Sequence, residues 1–136
     1  MLKRKVYQEL LKWKENTEGK ALCIIGARQI GKTTLIREFG KNEYEYFAEI
    51  NFVTDEKAAD IFNDKLTAEA IITNLTAYLQ TPLEPGKTLI LFDEVQECPA
   101  VRSAIKFLVE DGRFDYIESG SLLGVRYKEV RSYPVG

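Results

Sequence analysis

The sequence predicts an α/β fold built on a mostly parallel sheet. Three observations carry this prediction. Residues 26–33 read Gly-Ala-Arg-Gln-Ile-Gly-Lys-Thr, a glycine-bracketed loop set between an apolar run and a helical pattern. A second continuous apolar run, residues 88–92, ends on Asp93-Glu94. Between and after these, strand-like and helix-like segments alternate, as parallel strands joined by crossover helices do.

The elements follow in chain order. Leu2, Val6 and Leu10 recur every four residues, and Tyr7, Leu11 and Trp13 widen the stripe. An amphipathic N-terminal helix of roughly a dozen residues is predicted. Residues 16–19 turn into the first strand, residues 21–25, a short apolar run of the kind buried in a parallel sheet. After the loop, Leu35, Ile36 and Phe39 share one helical face, and Gly40 suits a C-terminal cap. Residues 44–52 are rich in aromatics and alternate imperfectly, which reads as a second strand. Asp55 is expected to cap a short helix through Phe62. Thr67 is expected to cap a longer one that turns Ile71, Leu75, Tyr78 and Leu79 inward. Pro82, Pro85 and Gly86 break the chain. The apolar strand 88–92 follows. Pro99 then opens a helix in which Val101, Ala104, Ile105 and Leu108 keep helical spacing, and Asp111-Gly112 ends it. Residues 115–119 read as a fourth strand. Residues 122–136 have little apolar content, and the chain is expected to stop before its fold is complete.

Composition narrows the function classes. The 136 residues favour one domain. Hydrophobic content of 45% and charged content of 29% suit a soluble chain with a real core. The net charge of −2 gives no support for nucleic-acid binding. Lys3, Arg4, Lys5, Lys12 and Lys14 gather near the N-terminus against Glu9 alone, and a solvated helix face accounts for them. Cys23 and Cys98 lack metal-ligand spacing, and Cys23 reads as a small buried apolar residue. The absence of histidine excludes histidine acid–base catalysis and histidine metal ligation within these residues. There is no signal-peptide pattern and no run near the ~18 apolar residues of a membrane span. The expectation is a cytoplasmic protein with no membrane partner.

The loop at 26–33 matches G-x-x-x-x-G-K-[ST], a pattern with its own mechanism. Backbone N–H groups across Gly26, Ala27, Arg28, Gln29, Ile30 and Gly31 can wrap the phosphates of a nucleotide. Lys32 can reach the β- and γ-phosphates, and the Thr33 hydroxyl can hold Mg²⁺. Thr34 follows in the first helical turn, whose unpaired N–H groups point at the anion. Gly26 and Gly31 give the turn backbone angles closed to other residues. The apolar strand ending on Asp93-Glu94 has the form of a Walker B segment. Asp93 would hold Mg²⁺ beside Thr33, and Glu94 would orient or deprotonate the water that attacks the γ-phosphate. Both motifs fall at strand C-terminal ends, where open parallel sheets bind ligands. Asp-Glu here favours an ATPase over a small-molecule kinase, which must place an acceptor hydroxyl instead. A polar residue ending a strand between these two strands can sense the γ-phosphate. Ser119 fits that role and Ser121 is the second choice, with an ordinary Ser-Gly-Ser turn as the alternative.

These pieces together resemble a prokaryotic AAA-type ATPase family in which an N-terminal ATPase core precedes a C-terminal domain of uncertain function. The matching segments are the lead-in at 4–11, Gly-Ala-Arg-Gln-Ile-Gly-Lys-Thr-Thr at 26–34, Asp93-Glu94-Val95-Gln96 with Pro99, and Ser119-Gly120-Ser121 where the family commonly has Thr-Gly-Ser. The resemblance implies a P-loop NTPase three-layer sandwich with four of the usual five core strands visible. Residues 1–16 would be the lead-in helix, 21–121 the core, and 122–136 the start of a further part. It implies ATP and Mg²⁺ as ligands, Lys32 and Thr33 at the phosphates, Asp93 at Mg²⁺, Glu94 at the water and Ser119 as sensor. It also implies adenine near the segment before the first strand. Glu118 departs from the apolar residue expected there and puts the strand end in doubt. Arg28 is open between a nucleotide contact and a structural role. Arg126 and Arg131 are open between trans-acting arginine fingers and surface residues, the second being favoured. The expected function is Mg²⁺-dependent ATP hydrolysis, with a nucleotide-dependent binding switch as the alternative. Implied partners are ATP and ADP and a C-terminal domain of the same chain. A homo-oligomer and a nucleic acid are left open.

Overall fold

Continuous apolar strands need cover on both faces, and this chain supplies it with helices on each side. The computed structural model describes residues 2–17, 20–26, 31–63, 65–121 and 130–134. Strands β1 (Lys20–Gly26), β2 (Tyr46–Asn51), β3 (Thr88–Asp93), β4 (Asp115–Ser121) and β5 (Val130–Pro134) form one sheet in the order β2-β3-β4-β1-β5. The first four are mutually parallel, and β5 lies antiparallel on the outer side of β1. Helices α1 (Leu2–Glu15), α2 (Lys32–Glu43), α3 (Ala68–Tyr78) and α4 (Pro99–Asp111) connect and flank them, with short 3₁₀ turns at Glu56–Phe62 and Val95–Glu97.

The period of two along each strand divides the core. Leu22, Ile24, Leu89, Leu91 and Ile117 face one way and pack with Leu10 and Trp13 of α1 and Ile36 and Phe39 of α2. Ile50, Ile90, Phe92 and Tyr116 face the other way and pack with Ile71 and Leu75 of α3 and Val101, Ile105 and Leu108 of α4. Every residue of β3 is buried. Full burial of an aliphatic or aromatic side chain stabilises by roughly 1.5–3 kcal/mol, so the central strands are the main anchor of the fold. The result is the expected three-layer α/β sandwich.

Local signals held where they matched this packing. The Thr67 hydroxyl accepts a hydrogen bond from the Ala70 N–H at 3.2 Å and caps α3. Pro99 stands in the first turn of α4, and Gly112 ends it with φ 79°. Four details differ from the sequence reading. Gly40 is not a cap: α2 runs on to Glu43, and Gly40 lies buried against the Phe47 ring, where a Cβ would collide. Asp55 precedes a 3₁₀ turn and makes no side-chain cap bond. The fourth strand does not stop at residue 119 but runs to Ser121. The sheet has a fifth strand, within residues that were not read as a strand. Its register runs from Lys20↔Pro134 to Ile24↔Val130. Among the described residues β5 is an edge strand, where proline's missing N–H is tolerated.

Candidate functional site

Because β1, β3 and β4 are parallel, their C-terminal ends share one edge, with β4 between the other two. β1 ends at Gly26, which pairs in register with Ser121. The chain re-enters the described structure at Gly31, with φ 96°, and α2 begins at Lys32. This backbone conformation is one that side chains with a Cβ rarely adopt, which accounts for glycine at that point. Of the nucleotide-contacting residues expected from sequence, Ala27, Arg28, Gln29 and Ile30 lie outside the described residues. Lys32 and Thr33 are half-buried in the first turn of α2, and Thr34 is exposed beside them.

Strand alternation decides which polar residues meet. Phe92 pairs with Glu118, so Asp93 and Ser119 are the next neighbours along β3 and β4, on the face covered by α2. Asp93 is 5% exposed and Ser119 fully buried. The Ser119 hydroxyl donates to Asp93 Oδ1 at 2.6 Å, and the Thr33 hydroxyl donates to Asp93 Oδ2 at 3.3 Å. The Glu94 backbone N–H donates to Asp93 Oδ1 at 2.8 Å. A nearly buried carboxylate needs such donors, since leaving it unpaired costs several kcal/mol. Thr33 and Ser119, both expected from sequence at this site, therefore each bond Asp93.

Lys32 extends toward the same edge. Its ammonium donates to the Gly120 carbonyl at 2.7 Å. Burial holds its pKa below the usual lysine value, and the carboxylates of Asp93 and Glu94 act in the opposite direction. Glu94 adopts a left-handed backbone, φ 57° and ψ 46°, which is uncommon for a residue with a side chain. Its Oε1 accepts from the Gln96 Nε2 amide at 2.7 Å. Sequence reasoning did not find this pairing, nor the Gly120 carbonyl as the partner of Lys32. The spacing Glu-Val-Gln offered only weak notice of the first, because the pairing depends on a backbone angle that composition does not reveal.

Glu118 takes the opposite face of β4. It is fully buried, and neither carboxylate oxygen has a hydrogen-bond partner among the described residues. Arg102 Nε of α4 lies 3.7 Å from its Oε1, and Arg102 also approaches Cys23 Sγ at 3.9 Å. Burial pushes the Glu118 pKa up to about 7, with Arg102 pulling it down. Of the two arginines considered as fingers, Arg126 lies outside the described residues and Arg131 pairs through its backbone with Cys23.

A parallel sheet in this order, with a strand–loop–helix unit opening at its C-terminal edge, defines a P-loop NTPase-like domain. A family model described as an AAA domain (AAA_14) matches residues 18–136, and the chain belongs to that family. Nucleotide binding of the ATPase type is its function at the level of the family. A search among curated proteins finds no match. Among the described residues, no helix is long and apolar enough to cross a membrane.

Proposed function

We propose that the domain binds ATP with Mg²⁺ at the C-terminal edge of the sheet and hydrolyses it to ADP and phosphate. The observation that carries this reading is the convergence on Asp93 of hydroxyls from two different elements, Thr33 of α2 and Ser119 of β4. Thr33 Oγ1 and Asp93 Oδ2 are hard oxygen donors side by side, a set that fits Mg²⁺. Among the described residues no group of three or more His, Cys, Asp or Glu side chains gathers as a metal cage. Mg²⁺ characteristically takes one or two protein ligands and completes its shell with water and phosphate oxygens. When bound, the ion would neutralise charge on the β- and γ-phosphate oxygens.

The chain's own residues supply the rest. Lys32 meets phosphate charge, and its partly buried position strengthens that interaction. Glu94 accepts a hydrogen bond from the attacking water and takes up its proton. The water oxygen forms the new bond to the γ-phosphorus. The bond from that phosphorus to the β–γ bridging oxygen breaks, and the oxygen leaves with ADP. The hydroxyl of Ser119 holds Asp93 in orientation. Such catalysis is positioning and electrostatics, with no covalent intermediate.

Phosphate release by the intact protein and by Glu94→Gln, with ATP affinity from calorimetry, tests the reading. Glu94→Gln is expected to keep ATP affinity and lose turnover by roughly 10²–10⁴-fold, the range of general-base contributions. Undiminished turnover in Glu94→Gln would remove Glu94 from this role. Tight binding with no release by the wild type would replace hydrolysis with a nucleotide-controlled switch.

A further inference from the structure

The geometry points to Gln96 as a positioning residue that aims the Glu94 carboxylate at the attacking water. This rests on the ATPase reading above and extends it to a side chain with no role in that mechanism. Three observations converge. Gln96 Nε2 donates to Glu94 Oε1 at 2.7 Å. Glu94 holds a left-handed backbone at the point where β3 gives way to the Val95–Glu97 turn, so its side chain leaves the strand in a direction fixed by that turn. Gly120 supplies the space: a Cβ there would stand 2.5 Å from Gln96 Oε1.

The consequence is chemical. A glutamate side chain has three rotatable bonds, and a general base must sit within hydrogen-bond reach of one proton. With Oε1 held by the amide, the carboxylate loses most of its rotational freedom and Oε2 is left as the acceptor for water. The carboxamide lies beside Gly120, whose carbonyl binds Lys32. The lysine that meets phosphate and the glutamate that meets water are thereby referenced to the same short stretch of β4. Gln96 touches neither reactant and acts through Glu94.

The test is made on the intact protein. In Gln96→Leu, turnover is expected to fall roughly tenfold or more while ATP affinity stays within about twofold, since only the placement of the base is lost. In the Glu94→Gln background the same change is expected to have no further effect, the non-additivity of residues acting as one unit. Gln96→Glu keeps the side-chain volume should leucine disturb folding, and it is expected to lower turnover because two carboxylates then face each other. A readout independent of hydrolysis is the Gln96 side-chain amide resonance in ¹⁵N-labelled protein, which is expected to move in Glu94→Ala. Unchanged turnover in both Gln96 variants would overturn the positioning role alone. So would parallel losses of affinity, turnover and stability, or an unmoved amide resonance. Absence of phosphate release by the wild type would overturn the hydrolytic reading, and this role with it.

Discussion

Asp93 and Glu118 are carboxylates on adjacent strands of one sheet, nearly level with one another and both withdrawn from water, yet their surroundings are opposite. Asp93 accepts from two hydroxyls and a backbone N–H. Glu118 has no hydrogen-bond donor among the described residues and faces Arg102 at a distance beyond hydrogen-bonding range. The difference comes from strand alternation. Asp93 and Ser119 project toward the loop helix α2, whereas Glu118, one residue earlier, projects into the apolar layer under α4. A carboxylate so surrounded has its buried oxygens satisfied by donors. An isolated one resists ionisation, and its cost falls on stability.

Breaking the Asp93 side of this contrast has the largest expected effect. Asp93→Ala removes the oxygen proposed to face Mg²⁺ and the acceptor for two hydroxyls. Phosphate release is expected to fall by roughly 10²-fold or more, and urea unfolding to show a loss of roughly 1–3 kcal/mol from the unpaired donors. Glu118→Leu sharpens the other side, and it is expected to stabilise. The folded pKa of Glu118 lies near 7 against an ordinary value of 4.5. Between these values the folded protein binds more protons than the unfolded chain, so stability falls as pH rises from about 4.5 to about 7 and stays lower above that. The size of this loss is roughly 3 kcal/mol. Urea unfolding at pH 8 is expected to show Glu118→Leu more stable than the wild type by up to about that amount. The gain should shrink steadily as pH falls toward 4.5, and turnover should change little. A loss of stability at pH 8 would mean that the Arg102 pair outweighs the desolvation of Glu118. The smallest expected effect is that of Ser119→Ala, which removes one of three donors to Asp93. Stability is expected to drop by about 1 kcal/mol, with turnover falling less than in Asp93→Ala.

The same contrast explains what could be read in advance. The runs leading to Gly26 and Asp93 are apolar without interruption because both sheet faces are covered, and that makes parallel strands visible in a sequence. Lys32, Thr33 and Asp93 were singled out from the sequence by their motifs, and the fold brings all three to one edge of the sheet, Lys32 and Thr33 at the start of α2 and Asp93 at the end of β3. Ser119 was legible as the polar end of the strand between them, and its hydroxyl bonds Asp93. Glu118 was noticed as an oddity but suggested a doubtful strand end, whereas the strand continues through it to Ser121. Burial of an ionisable residue against one arginine leaves no periodic trace. Gly40 looked like a cap because glycine commonly ends helices, yet its reason is the Phe47 ring across the layer. The strand β5 escaped notice because an antiparallel edge needs few apolar residues. The hold of Gln96 on Glu94 depends on a positive φ at a residue other than glycine, which no pattern of residue types announces.

This edge of the sheet is proposed to be a nucleotide site assembled by Lys32, Thr33 and Asp93. Calorimetric titration of ATP with Mg²⁺ into the wild type and Lys32→Ala tests it most directly. Saturable binding to the wild type is expected, with a loss of affinity of roughly tenfold or more in the variant, the scale of a charge-assisted contact. Equal affinity in the two proteins would contradict it.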